Sequence, residues 1–375
     1  MTRRSLTPTP PSLRSLAFAA LVLFASCTAT EQTRTPTWRS DAFRAVGYVS
    51  HIVPDPSDSN TVYSVVRGGF YRSEDGGDTW KNIPRNSNGG TGRISTLAVT
   101  HAGVLLASLL VREGGLRTQR DQNSATLSTV RITRSTDSGE TWQVLDFGTL
   151  LPPSAPVQGF RWIGGERLVV WTPTALIVSD DAGATWSPLP APIPFGARLD
   201  AVASHPSGVL AAKYYDLESR EYASIVLSLD GGTTWSTTPI SRPLPQDEFW
   251  ISTLSVDTEG TLFGTRWNEP YIWRSVDSGA TWTSTALDAH AIFSVQTPLY
   301  TREANKPNSL YLTTNRGGVF VSNDGGITWE HAGLDDLTVE AYARVVSENN
   351  GKEYLLAGAS NGIHRRLLRS DEYTP

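Results

Sequence analysis

Short apolar runs separated by polar turns recur along most of the chain, and only the segment near the start departs from this pattern. Between residues 48 and 83 the runs read YVSHIV, TVYSVV, GFYRS and TWKNI, each of a length suited to one strand. Runs of this kind joined by Gly-, Pro- and Ser-rich turns are typical of all-β domains. The hydrophobic pattern therefore predicts an all-β fold built from small antiparallel sheets.

An eight-residue pattern, S-x-D-x-G-x-T-W, punctuates these runs at intervals of 44 to 62 residues. It occurs six times, at residues 73–80, 135–142, 179–186, 228–235, 275–282 and 322–329. Each copy falls between the third and fourth predicted strands of its unit. A four-stranded unit repeated at this period is typical of the blades of a β-propeller.

The residues of the repeated box are suited to building a hairpin turn. The Ser and Asp side chains can bond backbone amides of the turn, the Gly can adopt a positive φ, and the Trp can pack between neighbouring sheets. Six copies cannot all converge on one substrate, so the box residues are predicted to be structural. The Asp and Trp positions are Asp75, Trp80, Asp137, Trp142, Asp181, Trp186, Asp230, Trp235, Asp277, Trp282, Asp324 and Trp329.

These boxes resemble the Asp-box, or BNR repeat, of sialidases, sortilin-type receptors, xyloglucan hydrolases and photosystem II assembly factors. The resemblance implies a propeller whose boxes lie on the face away from the binding site. Loops between the second and third strands, and between blades, would then share the opposite face.

Counting strands predicts seven blades rather than six. Three strands follow the last box, and the Thr-Trp pair in residues 37–40 resembles the start of a fourth strand. Residues 37–40 are therefore expected to complete the last blade and close the ring, with a six-bladed ring as the alternative. The sixth blade is expected to begin with a strand at residues 291–296.

The beginning of the chain resembles a bacterial lipoprotein signal. Three arginines precede a ten-residue apolar run, and FASC, residues 24–27, ends in the single cysteine of the chain, Cys27. The resemblance predicts a signal peptide at 1–26 and lipid attachment at Cys27. The polar composition predicts a flexible tether at 27–36, and the strand count predicts the propeller at 37–368, followed by a tail at 369–375. The protein would then be exported and anchored to a membrane of the cell envelope; an ordinary secretory signal is the alternative.

Composition narrows the choice of partners. Removal of residues 1–26 takes the net charge from −5 to about −8, which argues against nucleic acid. A single cysteine excludes an internal disulfide, and the six histidines have no metal-ligand spacing. No nucleotide-binding glycine loop is evident. The sequence predicts no cofactor, no metal and a monomer.

Binding residues are expected in the irregular loops opposite the boxes. The insertions at 112–128 and 214–222 interrupt the repeat, and Tyr215, Trp250 and Trp267 are candidate contact residues. The hypothesis is a non-catalytic scaffold that binds a protein or glycan through this face.

The resemblance to sialidases supplies an alternative, an exo-glycoside hydrolase. In that family three arginines hold a carboxylate beside a Tyr–Glu pair, and the matching order here is Arg44, Glu248, Arg266, Arg316 and Tyr342. Arg316 and Arg67 share an R-G-G motif in two repeats, which favours a repeat feature over a selected site. No aspartate stands out as the acid.

Overall fold

The computed structural model describes residues 38–43, 47–84, 93–112, 128–151, 157–216, 222–239, 251, 253–257, 259–265, 269–287, 299–303, 306–314, 316–347 and 349–368. In these ranges 28 strands form seven four-stranded antiparallel sheets. The protein is a seven-bladed β-propeller, which confirms the predicted fold over the six-bladed alternative. Among the described residues no helix is long and apolar enough to cross a lipid bilayer.

The blades follow one another along the chain, and each runs from its first to its fourth strand. Blade 1 contains β2 (Val49–Pro54), β3 (Val62–Val66), β4 (Gly69–Ser73) and β5 (Lys81–Ile83). Blade 2 contains β6 (Arg93–Val99), β7 (Leu105–Arg112), β8 (Ser128–Ser135) and β9 (Gln143–Val144). Blade 3 contains β10 (Gly159–Gly164), β11 (Arg167–Trp171), β12 (Leu176–Ser179) and β13 (Ser187–Pro188). Blade 4 contains β14 (Ala197–Ser204), β15 (Leu210–Asp216), β16 (Tyr222–Ser228) and β17 (Ser236–Pro239).

The remaining blades have the same order of strands. Blade 5 contains β18 (Thr253–Val256), β19 (Leu262–Thr265), β20 (Tyr271–Ser275) and β21 (Thr283–Ala286). Blade 6 contains β22 (Leu299–Glu303), β23 (Lys306–Thr313), β24 (Val319–Ser322) and β25 (Glu330–His331). Blade 7 contains β26 (Val339–Val346), β27 (Glu353–Ala359), β28 (Gly362–Leu367) and, from the other end of the chain, β1 (Arg39–Phe43).

The first strand of blade 6 differs from the prediction. The structure pairs Leu299–Glu303 with β23 through Leu299–Tyr311 and Tyr300–Leu310, so the strand comes after the predicted residues 291–296. Those residues lie outside the described ranges. The segment at 291–296, AIFSVQ, is more apolar than the observed strand LYTRE, so the hydrophobic pattern favours the wrong segment and only pairing with β23 identifies the strand.

The ring is closed by one strand from each end of the chain, as the sequence predicted. Strand β1 pairs with β28 at Arg39–Arg365 and Phe43–Ile363, so it extends beyond the predicted residues 37–40. Trp38, just before it, packs between blades 6 and 7 and donates from Nε1 to Ala332 O at 2.6 Å. Closure gives blade 7 the fourth strand that its own segment lacks.

Each box is held by the same short hydrogen bonds. In the fourth copy, Ser228 Oγ donates to Asp230 Oδ1 at 2.8 Å and accepts from Gly232 N at 2.7 Å. Thr234 donates to the same carboxylate from its amide at 2.8 Å and from its hydroxyl at 2.6 Å. These bonds lower the pKa of Asp230 to about 2, so the carboxylate stays ionised and the turn stays closed at neutral pH.

The box glycine is required for close approach between blades as well as for its φ. Gly139 has a φ of +91°, and a Cβ there would lie 2.4 Å from Cε1 of Phe70 in the preceding blade. Gly279 shows the same arrangement, with 2.9 Å to Cδ1 of Ile225. The residue before the glycine also has a positive φ, for example 57° at Ser138, a feature that sequence reasoning missed.

A tryptophan lies in each of the seven hydrophobic clusters. Each of the clusters joins two adjacent blades, and the tryptophan belongs to the later one. The six box tryptophans and Trp38 are distributed one to a cluster, as Trp235, Trp142, Trp186, Trp282, Trp80, Trp329 and Trp38. The core of this protein is therefore a ring of inter-blade layers rather than one central mass.

Replacement of Gly139 by alanine tests the close approach. We expect Gly139→Ala to lower the free energy of unfolding by about 2–4 kcal/mol, from a left-handed backbone and an overpacked contact. Gly68→Ala is the control, because its φ of +79° is similar but no atom lies within 4 Å of the added Cβ. It should cost about 1 kcal/mol. Equal losses, measured by urea unfolding, would show that backbone strain alone requires the glycine.

Replacement of Trp38 tests ring closure. Because the indole is only partly buried, Trp38→Ala should lower the free energy of unfolding by about 2 kcal/mol, below the 3–5 kcal/mol of a fully buried tryptophan. Trp38→Phe keeps the packing and loses the bond to Ala332, so it should cost about 1 kcal/mol. A Trp38→Ala variant with an unchanged melting temperature would contradict a stabilising role for the N-terminal segment.

Candidate functional site

The first strands of the blades surround the propeller axis. Strand β2 contacts β26 and β6, β6 contacts β10, β10 contacts β14, and β14 contacts β18. Each first strand begins on the face opposite the boxes and runs toward the box face. The starts of these strands therefore form the mouth of the central channel on the loop-rich face, which is where ligands of propellers can reach several blades at once.

Four of these strands carry a β-bulge near their start. The pairing with the second strand skips one residue between Val49 and His51, Ile94 and Thr96, Leu199 and Ala201, and Val339 and Ala341. The skipped residues are polar in every case: Ser50, Ser95, Asp200 and Glu340. Bulges re-aim side chains and are frequent beside functional sites. The mouth of the channel is thus irregular at one common level of blades 1, 2, 4 and 7.

A phenol, a carboxylate and a guanidinium from three blades meet at this mouth. Tyr48, immediately before β2, hydrogen-bonds to Glu340 of blade 7 and to Arg93 of blade 2. Burial and the neighbouring Glu340 raise the pKa of Tyr48 to about 12, and Arg93 offsets only part of this effect. At neutral pH the cluster holds a protonated phenol between opposite charges, so it can donate and accept hydrogen bonds but holds no phenolate nucleophile.

His51 extends the cluster toward blade 2. Its Nε2 lies 3.1 Å from Ser95 O, and its Nδ1 lies 3.0 Å from Ser50 Oγ. A carbonyl oxygen only accepts, so Nε2 carries the proton and Nδ1 accepts from the serine hydroxyl. Burial lowers the pKa of His51, and the charge of Arg93 lowers it further, while the hydrogen bond to Ser95 O offsets only part of this effect. The imidazole is therefore neutral at pH 7.

Two cations hold blades 3, 4 and 5 together on the same level. Arg161 donates from Nε to Val202 O at 3.1 Å and lies over the Trp171 ring at 4.8 Å. Burial lowers the pKa of Arg161 to about 10, which leaves it charged at neutral pH. Lys213, 1% exposed, pairs with Asp200 at 2.7 Å and donates to Ile251 O in the next blade. Both are positioning groups for the strands around the mouth.

Two of the five sequence-predicted catalytic residues lie in the described ranges. Arg316 is exposed in the loop between β23 and β24, and Tyr342 is half-buried on β26, two residues after Glu340. Arg44, Glu248 and Arg266 lie outside the described ranges, so the predicted constellation stays a prediction. Arg316 and Arg67, in the equivalent loop of blade 1, share a left-handed backbone with φ of 62° and 46°.

Of the three predicted contact aromatics, one lies in the described ranges. Tyr215 is half-buried on β15, where it pairs with Arg198 of β14. Trp250 and Trp267 lie outside the described ranges, as does Cys27. Within those ranges no three side chains of His, Cys, Asp or Glu are grouped so that they could hold a metal ion.

Sequence reasoning missed the cluster of Tyr48, Arg93 and Glu340. A usable signal was present, because Tyr48 and Arg93 each come directly before the first buried residue of a first strand. Alignment of the repeats on that buried residue would have placed both at the channel mouth. The position of Glu340 could not be predicted in this way, because it depends on the bulge in β26. A one-residue shift in register is not visible in the hydrophobic pattern.

A family model for the BNR/Asp-box repeat matches residues 320–331, which contain the whole of the sixth box. The six boxes and the ring of seven blades agree with this match. The chain is a seven-bladed propeller that carries the BNR/Asp-box repeat. Its boxes lie on the face opposite the channel mouth described above.

This BNR-repeat propeller is similar in sequence to a photosystem II assembly lipoprotein Ycf48 of Synechococcus sp. (strain CC9902), with 29% identity over 35% of this chain and 37% of that protein. It is also similar to a xyloglucanase of Hypocrea jecorina (strain QM6a), with 27% identity over 63% of this chain and 32% of that protein. The chain therefore spans about a third of the length of each of these relatives.

Solved structures share the fold of this BNR-repeat propeller at lower identity. A structure described as YCF48 bound to D1 peptide has a TM-score of 0.58 and 15% identity, covering 92% of this chain and 98% of that one. The GH74 xyloglucanase from Xanthomonas campestris has a TM-score of 0.53 and 18% identity, covering 90% of this chain and 55% of that one. At these identities the likeness concerns the fold alone.

The titration of Tyr48 tests the cluster. Because Glu340 helps raise the pKa of Tyr48 to about 12, Glu340→Gln should move that pKa toward its ordinary value near 10. Ring-carbon NMR of ¹³C-tyrosine would follow the titration, and Tyr48→Phe would assign the resonance. Glu259→Gln, in blade 5, is the matched control. A Tyr48 pKa unaffected by Glu340→Gln would mean that the carboxylate does not contact the phenol.

Proposed function

We propose that this propeller is a non-catalytic scaffold that binds a protein partner through its loop-rich face, with a glycan as the other ligand class. The observation that carries the proposal is the channel mouth, where four aligned bulges bring polar residues of several blades together. The boxes on the opposite face are fully used in holding their own turns, so they leave the loop-rich face as the variable one.

The chemistry of the mouth favours binding over catalysis. The phenol of Tyr48 is held protonated, and it hydrogen-bonds to both the carboxylate of Glu340 and the guanidinium of Arg93. Such a cluster presents fixed donors and acceptors to a ligand but no activated nucleophile. Peptide groups and sugar hydroxyls are ligands that such donors and acceptors can bond.

The relatives support a protein as the ligand. One is a photosystem II assembly lipoprotein, and the structure of a similar propeller is described as bound to a D1 peptide. Neither relative identifies the particular partner of this chain. What we take from them is that a single propeller of this type can bind a segment of another protein.

We also propose that the protein is exported and held on an envelope membrane through Cys27. The basic start, the apolar run and the FASC sequence support lipid attachment at this cysteine. A scaffold tethered in this way would meet partners at the membrane surface.

A second candidate is a glycoside hydrolase. It is favoured by one observation, the hydrogen-bonded pair of Tyr48 and Glu340 beside Arg93, which is the type of pair that the sialidase resemblance requires of Tyr342 and Glu248. The similarity to xyloglucanases points to the same class. In this alternative Tyr48→Phe would abolish release of reducing sugar from xyloglucan or of sialic acid from a sialoside, whereas a scaffold would release neither.

The proposal is tested by photo-crosslinking in cells. A photoreactive amino acid at Arg67 or Arg316, on the loop-rich face, should give adducts of discrete mass with a protein, whereas the same group at Thr136 or Glu140, on the box face, should not. In the purified pair, Arg93→Ala should weaken binding about tenfold or more, as removal of an arginine at an interface often does. Adducts confined to the box-face positions, or none at any position, would overturn the proposal.

A further inference from the structure

The box face is chemically divided into two halves. Each box has three variable positions, the second, fourth and sixth. In the first three boxes these positions carry four acids, Glu74, Asp78, Glu140 and Asp180. In the last three boxes they carry no charge and include three aliphatic residues, Leu229, Val276 and Ile327. Three of these acids form ion pairs, Glu74 with Arg72, Asp180 with Arg167 and Asp78 with Arg365. Blades 1–3 thus present a charged half and blades 4–6 an apolar half.

The three aliphatic side chains are well exposed. Leu229, Val276 and Ile327 have 58%, 65% and 58% of their surface accessible, although most other large apolar side chains in the described ranges are buried. They lie on consecutive blades that contact one another at this face. Leu229 reaches over Gly260 of blade 5, and Thr285 of blade 5 donates to Ile327 O at 2.8 Å. We call these three residues the apolar patch.

The chain enters the propeller on the same face. Arg39, at the start of β1, pairs with Arg365, which in turn forms an ion pair with Asp78 of the first box. Phe43, at the other end of β1, pairs with Ile363 near the start of β28, toward the loop-rich face. Strand β1 therefore runs from the box face to the loop-rich face. Trp38 precedes it and packs in the cluster between blade 7 and blade 6, the blade that carries Ile327.

The segment that leads to this entry point is short. From Cys27 to Trp38 it can span at most about 40 Å, the length of a fully extended chain of that many residues. A lipid at Cys27 would therefore keep the box face near the bilayer at an effective concentration of about 1 mM or more. At that concentration a patch too weak to bind a membrane alone can stay in contact with it.

We propose that the apolar patch of blades 4–6 rests on the lipid surface that carries the anchor. This inference rests on the proposed lipid attachment and goes beyond it, because it fixes which face meets the membrane. Aliphatic side chains enter the headgroup boundary, whereas the charged and ion-paired side chains of blades 1–3 stay in water. The loop-rich face and its channel mouth then point away from the bilayer, toward a partner.

A quenching experiment tests this orientation. The full-length protein, purified from membranes, is reconstituted into vesicles of phosphatidylethanolamine and phosphatidylglycerol that contain a doxyl-labelled phospholipid. Single cysteines labelled with the fluorophore NBD replace Leu229, Val276 or Ile327. We expect roughly twofold or greater quenching at these three positions, as for groups in the interface.

Matched controls use the same box positions on the charged half. Thr136→Cys corresponds to Leu229→Cys and Asp180→Cys to Val276→Cys, since each is the second residue of its box. Arg316→Cys reports on the loop-rich face. None of the three controls should be quenched. Absence of quenching at the patch, or equal quenching at patch and controls, would overturn the proposed orientation.

Flotation and quenching of the same samples show separately whether Cys27 carries a lipid and whether the apolar patch faces the bilayer. If Cys27 carries lipid, the protein floats with the vesicles and Cys27→Ala does not. Floating protein without patch quenching contradicts the orientation alone. Protein that never floats contradicts the lipid attachment. Loss of patch exposure with rising protein concentration, seen as self-association in sedimentation, would assign the patch to a second copy and overturn the membrane as its occupant.

Discussion

The ring depends on one contact, in which the backbone of a box glycine presses against a side chain of the preceding blade. At Gly139 that side chain is Phe70, and at Gly279 it is Ile225. The Ser, Asp and Thr of each box hold the turn in the shape that exposes this glycine, and the Trp covers the contact from the side. The conserved letters of the repeat are therefore the parts of a single joint between blades.

This joint leaves the opposite ends of the strands free to differ. There the blades are linked by side chains that cross from one blade to the next, such as His51 to Ser95 O and Lys213 to Ile251 O. Buried cations are costly unless their donors are satisfied, and here carbonyl groups and Asp200 satisfy them. The box face fixes the spacing of the blades, and the channel mouth acquires chemistry that varies from blade to blade.

Much of the fold could be predicted because the box and the strands around it recur six times in the sequence. The spacing of the boxes and the Thr-Trp pair at residue 38 were sufficient for seven blades and for closure by the N-terminal strand. The first strand of blade 6 was misplaced, since an apolar run at 291–296 competes with Leu299–Glu303 and only pairing with β23 decides. The channel mouth was missed because bulges move Glu340 and Asp200 out of register, and register is a property of paired strands.

Closure by both ends also sets an order of assembly. The strand β1 is made first, and its partner β28 is made more than three hundred residues later. Until then β1 has no sheet to join, and blade 7 cannot exist. Long-range pairing of this kind is slow to form, and an unpaired edge invites association with other chains. A chain that stops before β28 therefore leaves β1 unpaired along both of its edges, whereas in the closed ring only its outer edge is open. Unfinished and finished molecules thus differ by one strand edge with which other chains can pair.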